Sequence, residues 1–203
     1  LDGLEAPALF EPRVLHYQTG RRKKLWNKNC IAIGLSSGFI EPLESTSISL
    51  IQTGINKLAA FLVDYEIQEK QVAEANRLNR LEYERIRDFI ILHYKATERT
   101  DTKFWRYCKD MAIPDTLTHR MELFKQSGKV YKFAQELFGE SSWLQVLIGQ
   151  GLMPEQYHPI VDLMPDSELN DFLMSIKQNV KRTVSQFPTH HEFIQQYCKS
   201  SLV

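Results

Sequence analysis

The sequence has no excess of charge of either sign, no long apolar run and few cysteines. Lys and Arg total 25 and Asp and Glu total 25, so the formal net charge is zero. Nucleic acids and anionic membrane surfaces attract basic proteins, so neither is an expected partner. No apolar run reaches the roughly 18 residues that a membrane-spanning helix needs. The acidic, proline-containing segment 1–11 is not a secretory signal.

The scarcity of cysteine excludes two further kinds of protein. Cys30, Cys108 and Cys198 lie far apart, without a Cys-x-x-Cys pair or a matching histidine spacing. Neither a disulfide framework nor a zinc site is indicated, and a reducing cytoplasm is the expected location. The two adjacent histidines at 190–191 would point to different sides of a helix and have no apparent third ligand, so no metal site is expected.

The sequence does contain the apolar spacing of a largely helical protein. A chain of 203 residues can bury one sizeable core. Apolar residues that recur every three or four positions, with Gly and Pro as stops, predict helices. These cover residues 45–65, 71–94, 114–127, 130–138, 141–148, 166–186 and 190–198. Alternating residues predict a strand over 13–18.

The most informative stretch is residues 29–48, which read NCIAIGLSSGFIEPLESTSI. Residues 30–33 are continuously apolar, which predicts a strand buried on both faces. The small residues within 34–38 permit either the close approach of a bound molecule to the backbone or tight packing of the strand against a helix. Glu44 to Ser47 lie where the first helix should begin, and unpaired N–H groups at such a position favour a small anion.

Within this stretch, residues 38–48 (GFIEPLESTSI) resemble the helix-start motif of the flavin-dependent halogenases, usually called tryptophan halogenases. Residues 34–38 are similar, more loosely, to the Gly-Asp-Ala-Ala-Gly strand-turn of flavin monooxygenases, with Leu35 in place of Asp. The resemblance continues from about Arg13 to beyond Trp105. It implies a mainly α fold with a small β portion, the helical C-terminal part of an α+β flavin-monooxygenase-like fold.

The resemblance also implies that this sequence is the C-terminal part of a larger flavoprotein. Members of the family begin with a strand, a Gly-x-Gly-x-x-Gly loop and a helix that bind the adenine dinucleotide. This sequence contains no such loop and begins with Leu1 rather than Met. Residues 1–44 would end the flavin-binding domain, and residues 45–203 would form a helical region that includes the wall facing the substrate. The missing N-terminal part, with the family's lysine, is therefore an expected partner, and the fragment alone should be inactive.

The motif assigns roles to individual residues by position. Glu44 matches the family's catalytic carboxylate, although an acidic residue that opens a helix is also stabilised by the helix dipole without any catalytic role. The other matches are Gly34, Leu35 and Ile48 at positions that contact the flavin, and Thr46 and Ser47 at positions whose backbone N–H groups hold the halide. Family members often carry Gly in place of Ser47, so Ser is expected to be tolerated if its φ is negative.

Four aromatic residues match the substrate side of the tryptophan enzymes by their spacing, namely His93, Tyr94, Phe104 and Trp105. Stacked aromatic side chains suit a planar indole or phenol, but core packing at a helix junction would explain them equally well.

Two departures from the family pattern concern the substrate's amino-acid part. Thr100 replaces a Glu that pairs with the amino group, and Lys109 replaces an Asn. Without that Glu, the ammonium group of bound tryptophan would be desolvated with no carboxylate partner, which costs free energy. Free tryptophan is therefore not the expected substrate. An indole without the amino-acid part, or another electron-rich aromatic, is expected instead, unless Glu98 or Asp101 replaces the missing Glu.

The resemblance thus implies halogenation with reduced FAD, oxygen and chloride or bromide, in the setting of bacterial secondary metabolism. A separate flavin reductase would supply the reduced FAD. The alternatives are a flavin-dependent aromatic hydroxylase and a non-catalytic helical interaction module. The basic run 21–24 either lies at a solvated edge or approaches the flavin phosphates or a partner domain.

Overall fold

The computed structural model describes residues 10–63 and 66–198. The contacts divide the chain into two compact units, one extending to Gln156 and the other beginning at Tyr157. The first unit contains four short strands and five α-helices among its described residues: β1 Gly20–Arg21, β2 Trp26–Asn27, β3 Cys30–Ile31, β4 Gly38–Phe39, α1 Ser47–Phe61, α2 Glu69–Lys95, α3 Lys103–Asp110, α4 Asp115–Ser127 and α5 Glu140–Gly149.

The strands form two antiparallel ribbons of two strands each. β1 pairs with β4, so that Gly20 lies opposite Phe39 and Arg21 opposite Gly38. β2 pairs with β3, with Trp26 opposite Ile31. A Cβ atom at Gly38 would lie 2.7 Å from the backbone oxygen of Gly20, so the close pairing of β1 and β4 requires glycine at position 38.

The core of the first unit is built on α2. Its apolar residues at helical spacing are buried, and they meet the other helices in two clusters. One cluster joins α2 to α4 and α5, and its buried members are Phe89, Leu92, Leu117, Phe124, Val130, Trp143 and Leu147. The other joins α2 to α1 through Leu50, Tyr83, Ile86 and Ile90. Gly128 ends α4 in the left-handed conformation, with φ at 67°.

Up to residue 198, the second unit contains a 3₁₀ turn and two further helices. The turn covers Pro159–Leu163, α6 covers Asp166–Val184, and α7 covers His190–Phe193 and continues as a π-helix over Ile194–Cys198. Thr189 caps α7 by accepting a hydrogen bond from the N–H of Glu192, whose side chain binds back to Thr189. None of the helices within 10–63 and 66–198 has the length and apolar character required to cross a bilayer.

The structure confirms the predicted fold class, since helices dominate and the strands are short. The predicted helices over 45–65, 71–94, 114–127, 141–148, 166–186 and 190–198 correspond to α1, α2, α4, α5, α6 and α7. The last two residues of the first of these, 64–65, lie outside the described residues. The division into a flavin-binding end and a helical region at residue 44 stays a prediction.

Three predictions about secondary structure were wrong. Residues 13–18 form no strand, because no segment in the part of the chain that the structure describes pairs with them; the ring of Tyr17 instead packs edge-on against Phe39 at 5.0 Å. The strand predicted over 30–33 covers only Cys30–Ile31, which pairs with β2, and Cys30 is exposed rather than buried.

The segment 130–138 is not a helix, and local bonds explain the difference. The backbone N–H of Phe133 donates to the Glu136 carboxylate at 3.0 Å, which competes with a helical hydrogen bond. Gln135 has a left-handed backbone with φ at 58°, which a helix excludes. The apolar residues of this segment therefore reach the core from an irregular loop.

Candidate functional site

The turn that leads into α1 has an unusual backbone. Glu44 and Ser45 both have left-handed conformations, with φ at 67° and 49°. This conformation costs an L residue about 1–2 kcal/mol, so surrounding contacts must hold it. The N–H of Ser45 donates to the carbonyl of Pro42 at 2.9 Å, and the side chain of Thr46 is buried. The turn therefore fixes the direction in which the chain enters α1.

The first amides of α1 precede its hydrogen-bond ladder. The N–H of Leu50 donates to the carbonyl of Thr46 at 3.0 Å, which is the first helical bond. The N–H groups of Thr46 and Ser47 lie before that bond and have no carbonyl in the helix to bind. Their partial positive charge favours a small anion. Ser47 is the first residue of α1 and its φ is negative, so the backbone requirement stated above is met.

The Glu44 carboxylate reaches across to α2. Its Oε1 lies 3.0 Å from Nε2 of His93, with the two side chains 34% and 18% exposed, respectively. The other ring nitrogen of His93, Nδ1, lies 2.8 Å from the carbonyl oxygen of Phe89. The structure thus brings the predicted carboxylate against a residue that the sequence assigned to the substrate wall. No sequence pattern indicated this contact, because the two residues belong to different elements.

The aromatic residues on α2 and α3 form one group. Tyr94 faces Trp105 in a stacked arrangement and Phe104 edge-on, with ring centroids 6.2 Å apart in both cases. The Tyr94 hydroxyl donates to the Glu41 carboxylate at 2.9 and 3.1 Å. Partial burial, followed by the hydrogen bond to Glu41, raises the pKa of Tyr94 to about 12. Tyr94 is therefore a hydrogen-bond donor at neutral pH.

A cleft of about 700 Å³ opens beside this group. It is lined by His93, Thr97, Glu98, Arg99, Trp105, Gly149, Gln150 and Gly151. His93 and Trp105 are thus the predicted substrate-side residues that line this cleft. Tyr94 and Phe104 support it through their contacts with Trp105.

The carboxylates near the cleft are already paired with cations. Asp101 accepts two hydrogen bonds from Arg99, at 2.8 and 3.1 Å, while the Arg99 guanidinium stacks on the Trp105 ring at 4.4 Å. Lys109 lies 3.3 Å from Glu98. These two acidic residues were the alternatives to the family's Glu; Asp101 is hydrogen-bonded to Arg99, and the exposed Glu98 has Lys109 beside it.

The three residues predicted to contact a flavin differ in their surroundings. A Cβ atom at Gly34 would lie 3.0 Å from the Ile51 side chain, and the φ of Gly34 is 65°. Together with the strand pairing at Gly38, this favours tight internal packing as the reason for both glycines. Leu35 and Ile48, by contrast, are 71% and 78% exposed.

The exposed apolar side chains fit a flat aromatic ring system such as a flavin. The turn that carries Leu35 packs on α1, the helix that carries Ile48. Leu35 also borders an open cleft of about 950 Å³ formed by residues 15–22 and 35–39. Apolar surface next to free backbone amides provides the two kinds of contact that an apolar ring beside a small anion requires.

The basic run at 21–24 contacts the chain itself. Arg21 lies 3.4 Å from the Glu84 carboxylate, and Nε of Arg22 donates to the carbonyl of Ser36 at 2.5 Å. Lys23 and Lys24 are exposed. Across residues 10–63 and 66–198, no three His, Cys, Asp or Glu side chains are grouped as a metal ion would require.

Comparison with known proteins gives a consistent result. The sequence model described as tryptophan halogenase matches residues 1–166. The structure of Xcc4156, a flavin-dependent halogenase from Xanthomonas campestris, is similar with 50% identity and a TM-score of 0.93, covering 98% of this chain and 40% of that one. BrvH, a flavin-dependent halogenase from Brevundimonas sp. BAL3, is similar with 44% identity and a TM-score of 0.87, covering 93% of this chain and 38% of that one.

A curated relative named for its tryptophan substrate is more distant. Tryptophan 7-halogenase RebH of Lentzea aerocolonigenes is 28% identical over 199 residues, covering 90% of this chain and 38% of the relative. The chain therefore spans less than half the length of each of these three proteins.

Proposed function

Because the chain belongs to the tryptophan halogenase family, we propose that the complete protein halogenates an electron-rich aromatic compound with reduced FAD, oxygen and chloride or bromide. The observation that carries this proposal is the start of α1, where the amides of Thr46 and Ser47 precede the first helical bond and directly follow Glu44 in the chain. Residues 1–44 then complete the flavin-binding domain, and residues 45–203 form the helical region. A separate flavin reductase supplies reduced FAD.

Residues of this chain would hold FAD by its ring system. Leu35 and Ile48 offer exposed apolar surface, and Gly34 keeps the intervening turn close to α1. When bound in its reduced form, FAD supplies with oxygen the oxidising power that converts a halide into an electrophilic halogen. The dinucleotide loop and the family's lysine would come from the part of the protein that precedes this sequence.

At the start of α1, backbone amides bind the anion, whereas a side chain stabilises the charge that develops on the substrate. The amides of Thr46 and Ser47 hold the halide through partial positive charge, which does not depend on side-chain identity. Glu44 directs a negative charge toward the substrate, where it stabilises the cationic ring formed when the halogen adds and then accepts the ring proton.

The substrate we propose lacks a free amino-acid group. Near the cleft, Arg99 and Lys109 lie beside the carboxylates of Asp101 and Glu98, and their positive charges oppose the binding of an ammonium group there. The aromatic surface of Trp105 suits an indole or a phenol. The greater identity to enzymes named simply as flavin-dependent halogenases than to RebH supports the same view.

Product analysis by mass spectrometry tests this function. The complete protein, supplied with a flavin reductase, FAD and oxygen, should halogenate indole faster than free tryptophan, and only when chloride or bromide is present. Best turnover of free tryptophan would refute the substrate assignment. A hydroxylated product that forms without halide would instead establish the hydroxylase alternative, and no product under any condition would favour the interaction module.

Replacement of the central carboxylate tests its role. Glu44→Gln should lower kcat by about 10²–10⁴-fold, because the amide carries no negative charge and cannot accept the ring proton. The matched control is Glu69→Gln, since Glu69 is an exposed acidic residue at the start of α2. Equal activity of both variants would contradict the role of Glu44.

The state of the cysteines indicates the cellular compartment of the enzyme. Cys30, Cys108 and Cys198 are free thiols in the structure. Free thiols persist in a reducing compartment, and we therefore place the enzyme in the cytoplasm.

A further inference from the structure

We propose that the first unit contains a further ligand site, a cavity beside α2 that binds a small aromatic carboxylate. The cavity has a volume of about 210 Å³. Four of its lining residues lie on α2, two on α4 and two in the segment 130–138, and α5 contributes Trp143. None of them lines the cleft beside Trp105, and the proposed halogenation uses none of them, so the inference stands independently of that function.

Two N–H donors of the lining residues are buried without an acceptor. They are Nε1 of Trp143 and Nη1 of Arg85, and residues 10–63 and 66–198 provide no partner for either. Trp143 itself is only 2% exposed. A buried donor without an acceptor costs free energy, so such donors in native proteins nearly always have a partner. Because both side chains line the cavity, a bound molecule with acceptor oxygens can supply it.

The guanidinium of Arg85 favours an acceptor that is negatively charged. Arg120, the other cation of the lining, lies 2.6 Å from Glu136, which also accepts a hydrogen bond from the N–H of Phe133 at 3.0 Å. Arg85 has no carboxylate partner within the described ranges, and its Cζ lies 5.7 Å from the centre of the Phe133 ring. A carboxylate at Arg85 would provide a counter-charge and an acceptor together.

The other acidic side chains of the lining have donors of their own. Asp88 accepts hydrogen bonds from Arg87 at 2.6 and 3.0 Å and from the hydroxyl of Thr116 at 2.5 Å. Glu84 accepts from Arg21 at 3.4 Å. These neighbouring cations offset the negative charges of the lining and weaken the repulsion that a bound carboxylate would experience.

The size and the apolar part of the cavity favour a ligand with a ring. Leu81 and the aromatic residues Phe133 and Trp143 form this part of the lining. An apolar cavity of about 150 Å³ can hold benzene, so about 210 Å³ accommodates a benzene ring with one carboxylate group. Water is a poorer occupant, because each buried water needs about two to four polar partners. An apolar pocket with a few convergent polar groups is typical of small-molecule sites.

Calorimetric titration of the complete protein with benzoate tests the site. Benzoate should bind saturably, and benzamide, which has a similar shape but no charge, should bind at least about tenfold more weakly. Arg85→Met removes the charge, keeps an apolar side chain and should weaken benzoate binding at least about tenfold. Arg77→Met is the matched control, because Arg77 is a half-exposed arginine on the same helix and does not line the cavity. Unchanged benzoate affinity in Arg85→Met would overturn the inference, as would equal affinity for benzamide.

The indole N–H of Trp143 gives a second measurement that locates the ligand. In ¹⁵N spectra of the complete protein, benzoate should shift the Nε1–H resonance of Trp143 downfield, because this donor gains an acceptor. Trp143→Phe identifies the resonance by its loss and should weaken benzoate binding about two- to tenfold, since one neutral hydrogen bond is lost. A resonance that stays in place at saturating benzoate would overturn the inference, as would a crystal structure of the complex with only water at Nε1 and Nη1.

Two of these measurements do not depend on how well the variants fold. The comparison of benzoate with benzamide and the shift of the Trp143 resonance on titration both use the wild-type protein. Matching unfolding midpoints of Arg85→Met, Trp143→Phe and the wild type show that the variants report on binding. Neither measurement requires turnover, so a failure of the proposed halogenation would leave the site standing, and the reverse.

Discussion

Tyr94 ties the aromatic group to the segment that precedes α1. Its hydroxyl donates to both oxygens of Glu41, and its ring meets Phe104 and Trp105. A hydrogen bond to a charged acceptor contributes about 1.5–3 kcal/mol to stability. One side chain therefore joins the wall of the cleft to the turn that carries Glu44.

The raised pKa of Tyr94 predicts a stability effect with a defined pH range. The pKa is about 12 in the folded protein, whereas a tyrosine in the unfolded chain titrates near 10. The stabilisation is therefore fully present below pH of about 10 and is lost as the pH rises through about 12. Tyr94→Phe should lower the melting temperature at pH 8, and the difference from wild type should shrink between pH 10 and 12.

Thermal unfolding followed by circular dichroism checks this prediction. Tyr107→Phe is the control, because Tyr107 is an exposed tyrosine on α3. A difference between wild type and Tyr94→Phe that stays constant up to pH 12 would show that the bond to Glu41 does not carry the effect.

At the scale of whole elements, buried ion pairs join helices to neighbouring segments. Lys57 on α1 pairs with Glu82 on α2. Arg120 on α4 lies 2.6 Å from Glu136 in the segment 130–138, with side chains only 6% and 3% exposed. A buried pair gains little over apolar packing, but loss of one partner leaves an uncompensated buried charge. These pairs therefore favour the packing of α1 against α2 and of α4 against segment 130–138 over other arrangements.

Removal of the Arg120 guanidinium should be strongly destabilising. Arg120 also donates to the carbonyl of Tyr131 at 3.0 Å and stacks on Trp143 at 4.1 Å. We expect Arg120→Met to cost about 3–5 kcal/mol in the free energy of unfolding, because Glu136 is then buried without a cation. Urea unfolding measures this cost, and pairing Arg120→Met with Glu136→Leu should restore part of the stability.

An exposed ion pair with the same nitrogen–oxygen distance provides a control for the effect of burial. Arg77 lies 2.6 Å from Glu74 on α2, but the side chains are 48% and 42% exposed. Arg77→Met should lower the free energy of unfolding far less than Arg120→Met does, because solvent screens an exposed pair. Similar losses in Arg77→Met and Arg120→Met would contradict the importance of burial.

At the scale of the whole protein, the proposed chemistry needs more than these residues. The chain covers about 40% of the Xcc4156 structure and 38% of RebH. It contains Glu44 and the amides at the start of α1, but no dinucleotide-binding loop. The two parts of the active site would therefore come from different portions of one protein.

A direct comparison tests this division. The 203-residue chain alone, supplied with a flavin reductase, FAD, oxygen and bromide, should yield no halogenated indole, whereas the complete protein should. The reason is that a flavin ring held by Leu35 and Ile48 alone would lack its dinucleotide contacts. Mass spectrometry measures the product, and halogenated indole from the short chain would refute the prediction.

The sequence singled out individual residues for the candidate site but did not show how they meet, and their roles stay predictions. The motif at residues 38–48 located Glu44, Thr46 and Ser47, and the structure places all three at the start of α1. Spacing also located His93 and Trp105 at one cleft. The contact between Glu44 and His93 was not predicted, because a one-dimensional pattern does not show which face of one helix meets the turn before another.

What the sequence by itself determined is local. Helices α1, α2, α4 and α6 follow from apolar spacing and stop signals, which depend on residues within a few turns of each other. Only the tertiary structure decided the pairing of Glu44 with His93, the irregular path of segment 130–138 and the exposure of Cys30. The pairing of Glu44 with His93 depends on two elements distant in the chain. Segment 130–138 is held by its local bonds together with Arg120 of α4, which contacts Glu136 and Tyr131, so that packing and burial outweigh local preference.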